Sequence, residues 1–119
     1  MDLGAPIATG NLTISSMTIR ADITKITSEG TVGKYGRVFV THTLKASDES
    51  RVSYQFEAFG RTIMEDGSMV SGSARGTGRK NHDHLTLFSL DNLSNGEQNF
   101  SVLEMDVQAK SASIKVYSL

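Results

Sequence analysis

A small antiparallel β-barrel of seven to eight strands is the architecture that this chain of 119 residues predicts. Three observations carry that reading. Apolar residues recur with period two, and no stretch shows a convincing helical period. Turn signals punctuate the chain at short and fairly regular spacing. No connection is long enough for a Greek-key crossover, so consecutive strands join as hairpins in a meander. An open sheet of that size would expose its edges. Closing it into an up-and-down barrel removes them, and a two-layer β-sandwich is the alternative.

Taken in order, residues 1–10 hold the single proline, Pro6, ahead of any periodic pattern and read as an irregular N-terminal arm. Residues 11–119 then read as one barrel domain. From Asn11 to Thr27, Leu12 and Ile14 alternate in one phase, and Met17, Ile19, Ala21 and Ile23 in the other. A slip of one residue inverts the buried face, so a β-bulge or bend is expected at Ser15-Ser16. Ser28 to Gly36, with three glycines, reads as a loop or a loose hairpin end. Arg37–Leu44 and Arg51–Phe59 are strands separated by the polar turn Lys45–Ser50. Gly60 permits a kink before Arg61–Met64. Asp66-Gly67 supplies the positive φ of a tight hairpin turn, and the return strand runs from Ser68 to Arg79. His84–Leu90, Gln98–Ala109 and Ser111–Leu119 complete the set, with Asn95-Gly96 as another hairpin turn.

Composition narrows the function classes. The length suits a single core. Hydrophobic residues make up 38 % and charged residues 21 %, with a formal net charge of −1. Such a balance offers no basic surface for phosphates, so no nucleic-acid partner is expected. No apolar run approaches the roughly 18 residues that span a bilayer, so no membrane partner is expected either. The first ten residues lack a basic n-region and an apolar h-region. No secretory leader is therefore expected, and a cytoplasmic location is the default. Cysteine is absent, which excludes disulfides and thiolate chemistry. Asn11, Asn92 and Asn99 sit in N-x-S/T sequons, which chance explains in segments this rich in Ser and Thr.

The most informative stretch is Tyr54–Arg79, where an aromatic strand pairs with one rich in Gly, Ser and Ala. Its GSARGTGR segment invites comparison with phosphate-cradling loops. Those loops need a helix starting at the glycines to supply free amides and an aligned dipole, and here a turn follows instead. The glycines are better read as barrel bends and as room for Tyr54, Phe56 and Phe59 opposite. Small side chains also leave lumen volume, and an eight-strand barrel is just wide enough for one small ligand.

Candidate chemistry falls on few residues. Glu57 lies mid-strand among aromatics. Burial pushes a carboxylate on an apolar barrel wall toward its protonated form and suits it to general acid–base work, with Arg61 and His42 as partners. The competing reading puts Ser53, Gln55 and Glu57 on the solvent face. Tyr54, Phe56, Arg75 and Phe88 are the candidate ligand-binding residues, Arg75 through bidentate contacts. His42, His82 and His84 are weak candidates for a metal site, and no cofactor is expected. No nucleophile-elbow pattern surrounds Gly72-Ser73-Ala74.

In architecture alone the barrel resembles the lipocalins and allene oxide cyclases, and that likeness carries no residues across. It implies an apolar small molecule held in the lumen, either simply bound or isomerised or cyclised without a cofactor. The alternative is a non-enzymatic interaction module assembling as a homo-oligomer. Which way Glu57 points separates them.

Overall fold

Eight antiparallel strands close into one barrel, each hydrogen-bonded to its neighbours in the chain and the last to the first. The computed structural model describes residues 2–119; Met1, at the start of the expected arm, lies outside them. The strands are β1 (Ala8–Ile19), β2 (Thr24–Val32), β3 (Arg37–Ala46), β4 (Ser53–Ile63), β5 (Met69–Asn81), β6 (His84–Leu93), β7 (Gln98–Asp106) and β8 (Ser111–Ser118). The only helical element among the described residues is a single 3₁₀ turn, Gly33–Tyr35, between β2 and β3. No helix there is long and apolar enough to cross a membrane. The meander is thus the closed barrel that the sequence predicts, and the sandwich alternative falls away.

Several boundaries differ from expectation for identifiable reasons. The expected bulge is present, as the β1–β2 register shifts between Ile14 and Ser16. Beyond it, however, the chain turns at 20–23, where Arg20 N–H donates to the Ile23 carbonyl at 2.9 Å. The stretch 11–27 is therefore two strands, and no glycine or proline marks the break. The stretch 28–36, expected as a loop or hairpin end, is mostly the second half of β2, with the β2–β3 hairpin end confined to 33–36. Gly30 sits opposite Leu12 in that strand, and a Cβ there would lie 2.1 Å from the Asn11 carbonyl oxygen. Its glycine allows close strand approach and does not mark a loop. β1 begins at Ala8, within the expected arm, and β6 runs on to Leu93.

Hairpin chemistry at the turns is as expected. Gly67 and Gly96 adopt φ of 85° and 92°, the left-handed conformation for which glycine was predicted. Small-residue strand β5 pairs with aromatic strand β4 in the anticipated way. Tyr54 lies opposite Gly78 and Phe56 opposite Gly76 on the inner face, while Phe59 faces Ser73 outside. At Gly76 an added Cβ would fall 1.7 Å from the Phe88 carbonyl oxygen, so β5 and β6 can meet closely only there being glycine.

The meander places the β1–β2, β3–β4, β5–β6 and β7–β8 turns at one end. The other three connections and both chain termini share the opposite end. Towards the first end the lumen is packed by Ile14, Ile26, Leu44, Leu85, Met105 and Ala112, all buried. Each large aliphatic side chain so buried contributes about 1.5–3 kcal/mol. Towards the second end the packing loosens.

Candidate functional site

That looser half holds a partly open cavity of about 140 Å³. Val32, Val38 and Val40 form one wall, Leu87, Leu93, Leu103 and Val116 the opposite one. The inward positions of β4 and β5 supply little bulk: Ala58, Gly60, Gly72 and Ala74 all line the space. A strand carries alternate side chains inward, so four small residues at these positions remove the filling that an eight-strand barrel otherwise has.

A group of polar side chains breaks the apolar wall at one place. Ser89 and Asp91 on β6 face inward in phase with Leu85 and Leu87, and Asn99 and Ser101 on β7 in phase with Leu103 and Met105. Register sets Asp91 beside Asn99 and Ser89 beside Ser101. Ser89 Oγ donates to Asp91 Oδ1 at 2.7 Å, and Ser101 Oγ donates to Asp91 Oδ2. Burial raises the Asp91 carboxyl above its ordinary value of 3.8, and the two hydroxyls oppose that shift. No lysine, arginine or histidine among the described residues forms an ion pair with it.

Tyr35 closes the same end. The 3₁₀ turn drops its ring into the barrel mouth, and the backbone is fastened by Thr62 Oγ1, which donates to the Tyr35 carbonyl. Asn99 Nδ2 donates to the phenolic oxygen at 2.9 Å, and the phenol donates to Glu97 Oε2 at 2.7 Å. Burial, followed by the hydrogen bond to Glu97, pushes the phenol up to about 12. Lys34 Nζ stands 5.1 Å above the ring and 3.7 Å from Glu97 Oε1. Tyr35 is thus a neutral, hydrogen-bonded plug over the polar side of the cavity.

His42 lies on the cavity wall supplied by β3. It is 7 % exposed, packs against Phe56 with centroids 5.5 Å apart, and its Nδ1 has no hydrogen-bond partner. Desolvation lowers it from 6.5 to about 4, so the imidazole is neutral at neutral pH.

The residues singled out from sequence divide between the two faces of the wall. His42 and Phe56 line the cavity. Tyr54 also points inward but lies at the other end, in a depression with Met17, Ile19 and Leu44. Glu57 is on the outer face, its side chain half exposed and 3.7 Å from Arg75, which is more exposed still. The expected lumen carboxylate is therefore not Glu57. Its strand alternates cleanly, and Phe56 and Ala58 take the inward positions on either side. Phe88 likewise faces outward and stacks on Phe100 at 6.3 Å. Arg61 is exposed, at the cavity's margin. His82 lies in the β5–β6 turn and His84 opens β6, where it contacts Asp83 at 2.8 Å, far along the barrel from the cavity. No group of three or more potential metal-ligating side chains assembles among the described residues.

Asp91, Ser89, Ser101, Asn99 and Tyr35 escaped the sequence reading. The Asn95-Gly96 signal places a turn over Asp91–Glu97, whereas β6 carries Asp91 as a strand residue. The available signal was the period itself: Leu85, Leu87, Ser89 and Asp91 keep one phase. Asn99, 3 % exposed, stands in a sequon yet its side chain is occupied inside the barrel. Set beside known proteins, the chain matches no protein family, no curated protein and no solved structure.

Proposed function

We propose that the barrel binds one small molecule in its lumen, with the body against the aliphatic wall and a polar group at Asp91. The observation that supports this most directly is the cavity, an apolar space of about 140 Å³ with one polar cluster in its wall. Ala58 and Ala74 leave the space open, whereas a Cβ at Gly60 or Gly72 would fall 2.9 Å from the Phe39 carbonyl oxygen or 2.7 Å from Leu93 Cδ2, so those glycines serve close packing. An apolar cavity of about 150 Å³ accepts benzene, so the occupant is the size of a single ring. Asp91, held toward protonation, and His42, held toward deprotonation, would be the acid–base pair if the bound molecule is isomerised or cyclised. Titration of ¹⁵N-labelled protein with toluene tests the binding reading. Saturable shifts at Ala58, Leu87 and Leu103 support it, as does their loss in Ala74→Leu, which fills the space. Uniform or absent shifts would end it.

A second reading, assembly into a homo-oligomer, is favoured by the outer face of β6–β8. Phe88, Phe100 and Tyr117 form a continuous aromatic row there, with Leu90 58 % exposed beside it. Sedimentation of the wild type and of Leu90→Lys tests this reading. A monomer at high concentration overturns it.

A further inference from the structure

The cavity contains a carboxyl with no cationic partner among the described residues, and its surroundings indicate which ligand would supply one. Ser89 Oγ and Ser101 Oγ each contact one oxygen of Asp91, an arrangement that leaves further acceptor sites on both oxygens when the carboxyl is ionised. No cationic side chain among the described residues answers it: Arg61, at the margin, is exposed, and the other cations with partners are engaged outside the barrel. His42 is in the same cavity, yet desolvation keeps it neutral. Buried charges are paired or strongly destabilising. An anionic ligand would add repulsion, and a neutral one would give the carboxyl no counter-charge.

We propose that the lumen selects a small primary amine in its cationic form, with an apolar body of single-ring size. The ammonium donates to the remaining lone pairs of Asp91, and the valine and leucine wall takes the body. A carboxylate with two hydroxyl partners still has acceptor sites on both oxygens, and an ammonium has three donors to fill them. This inference rests on lumen binding as proposed above.

A matched ligand set separates the two ideas. Benzylamine, benzyl alcohol and toluene share one ring and differ in the polar group alone. Each is titrated at neutral pH into wild type and into Asp91→Asn by calorimetry and ¹⁵N chemical shifts. Benzylamine is expected to bind wild type roughly tenfold or more tightly than benzyl alcohol, as a charge-assisted hydrogen bond provides. Asp91→Asn should erase that preference and leave benzyl alcohol unchanged. Equal affinities of amine and alcohol for wild type would overturn the amine inference with lumen binding intact, and this comparison needs no variant to fold. Retained amine preference in Asp91→Asn would also overturn it. No saturable response to any of the three would remove lumen binding and the amine inference together.

Discussion

The β4–β5 hairpin and the β6–β7 corner carry polar residues in the same alternating strand pattern, with opposite consequences. In β4, Gln55 and Glu57 alternate with Phe56 and Ala58, so the apolar residues go in and the carboxylate goes to water. In β6 and β7, Ser89, Asp91, Asn99 and Ser101 continue the phase of the leucines and are carried into the lumen with them. Polarity alone therefore does not place a side chain. The phase it keeps relative to the strand's apolar residues does, because one closed wall has a single inside.

The largest test of that contrast is within β4 itself. Phe56 is 6 % exposed and Phe59 65 % exposed on the same strand. Phe56→Ala should cost about 3–5 kcal/mol of unfolding free energy, while Phe59→Ala should stay within about 0.5 kcal/mol. Urea unfolding of both variants measures this, and comparable losses would mean that the wall is not oriented as described.

A pH experiment follows, of slightly smaller expected size. His42 has an ordinary value of 6.5 and a folded value of about 4, so between these limits the unfolded chain binds a proton that the folded chain refuses. Stability must then fall as pH drops through that window, by on the order of 3 kcal/mol for this residue. Asp91 acts in the opposite sense: its raised carboxyl keeps its proton longer in the fold, so its contribution declines as pH rises above 3.8. Comparing wild type with His42→Leu at pH 7 and pH 4 isolates the histidine. The variant should lose less stability on acidification, and an unchanged pH dependence would contradict a neutral, desolvated imidazole.

The β6–β7 corner predicts a gain where a loss is usual. Asp91 is a charge whose burial the fold resists, so Asp91→Asn should raise the melting temperature at pH 7. Below pH 3.8, where the wild-type carboxyl is itself protonated, the two should converge. Residues that bind ligands are often retained at the expense of stability. A lower melting temperature at pH 7 would instead make Asp91 a structural anchor for Ser89 and Ser101.

Much of the fold was legible because strand pairing and turns are local matters. Asp66-Gly67 and Asn95-Gly96 identified two hairpins, the phase slip at Ser15-Ser16 identified the bulge, and the absence of a long crossover implied the meander. Less of the site was legible. His42 and Phe56 were recovered because they sit mid-strand, where phase is unambiguous. Asp91 and Asn99 flank a tight turn, whose Asn-Gly signal overrides the strand phase that runs on to both of them. Tyr35 lies in a segment whose glycines suggested a loop, and its role depends on contacts with Glu97 and Asn99, more than sixty positions away in the chain. Pairing across a closed barrel decides such contacts, and local pattern does not encode them.

The smallest expected effect completes the contrast between the two carboxylates. Glu57 and Arg75 lie 3.7 Å apart with side chains 50 % and 86 % exposed, a geometry in which water screens most of the attraction. Exposed pairs of this kind typically contribute between 0 and about 1 kcal/mol, and salt weakens them further. Glu57→Gln keeps the side chain's shape and removes only the charge. Its unfolding free energy should therefore lie within about 0.5 kcal/mol of wild type at any pH, and benzylamine affinity should be unchanged. The same chemical step at Asp91 should abolish the amine preference and shift the melting temperature. A Glu57→Gln variant that lost amine binding would place the functional carboxylate on the outer face after all, and the lumen would lose its claim to the chemistry.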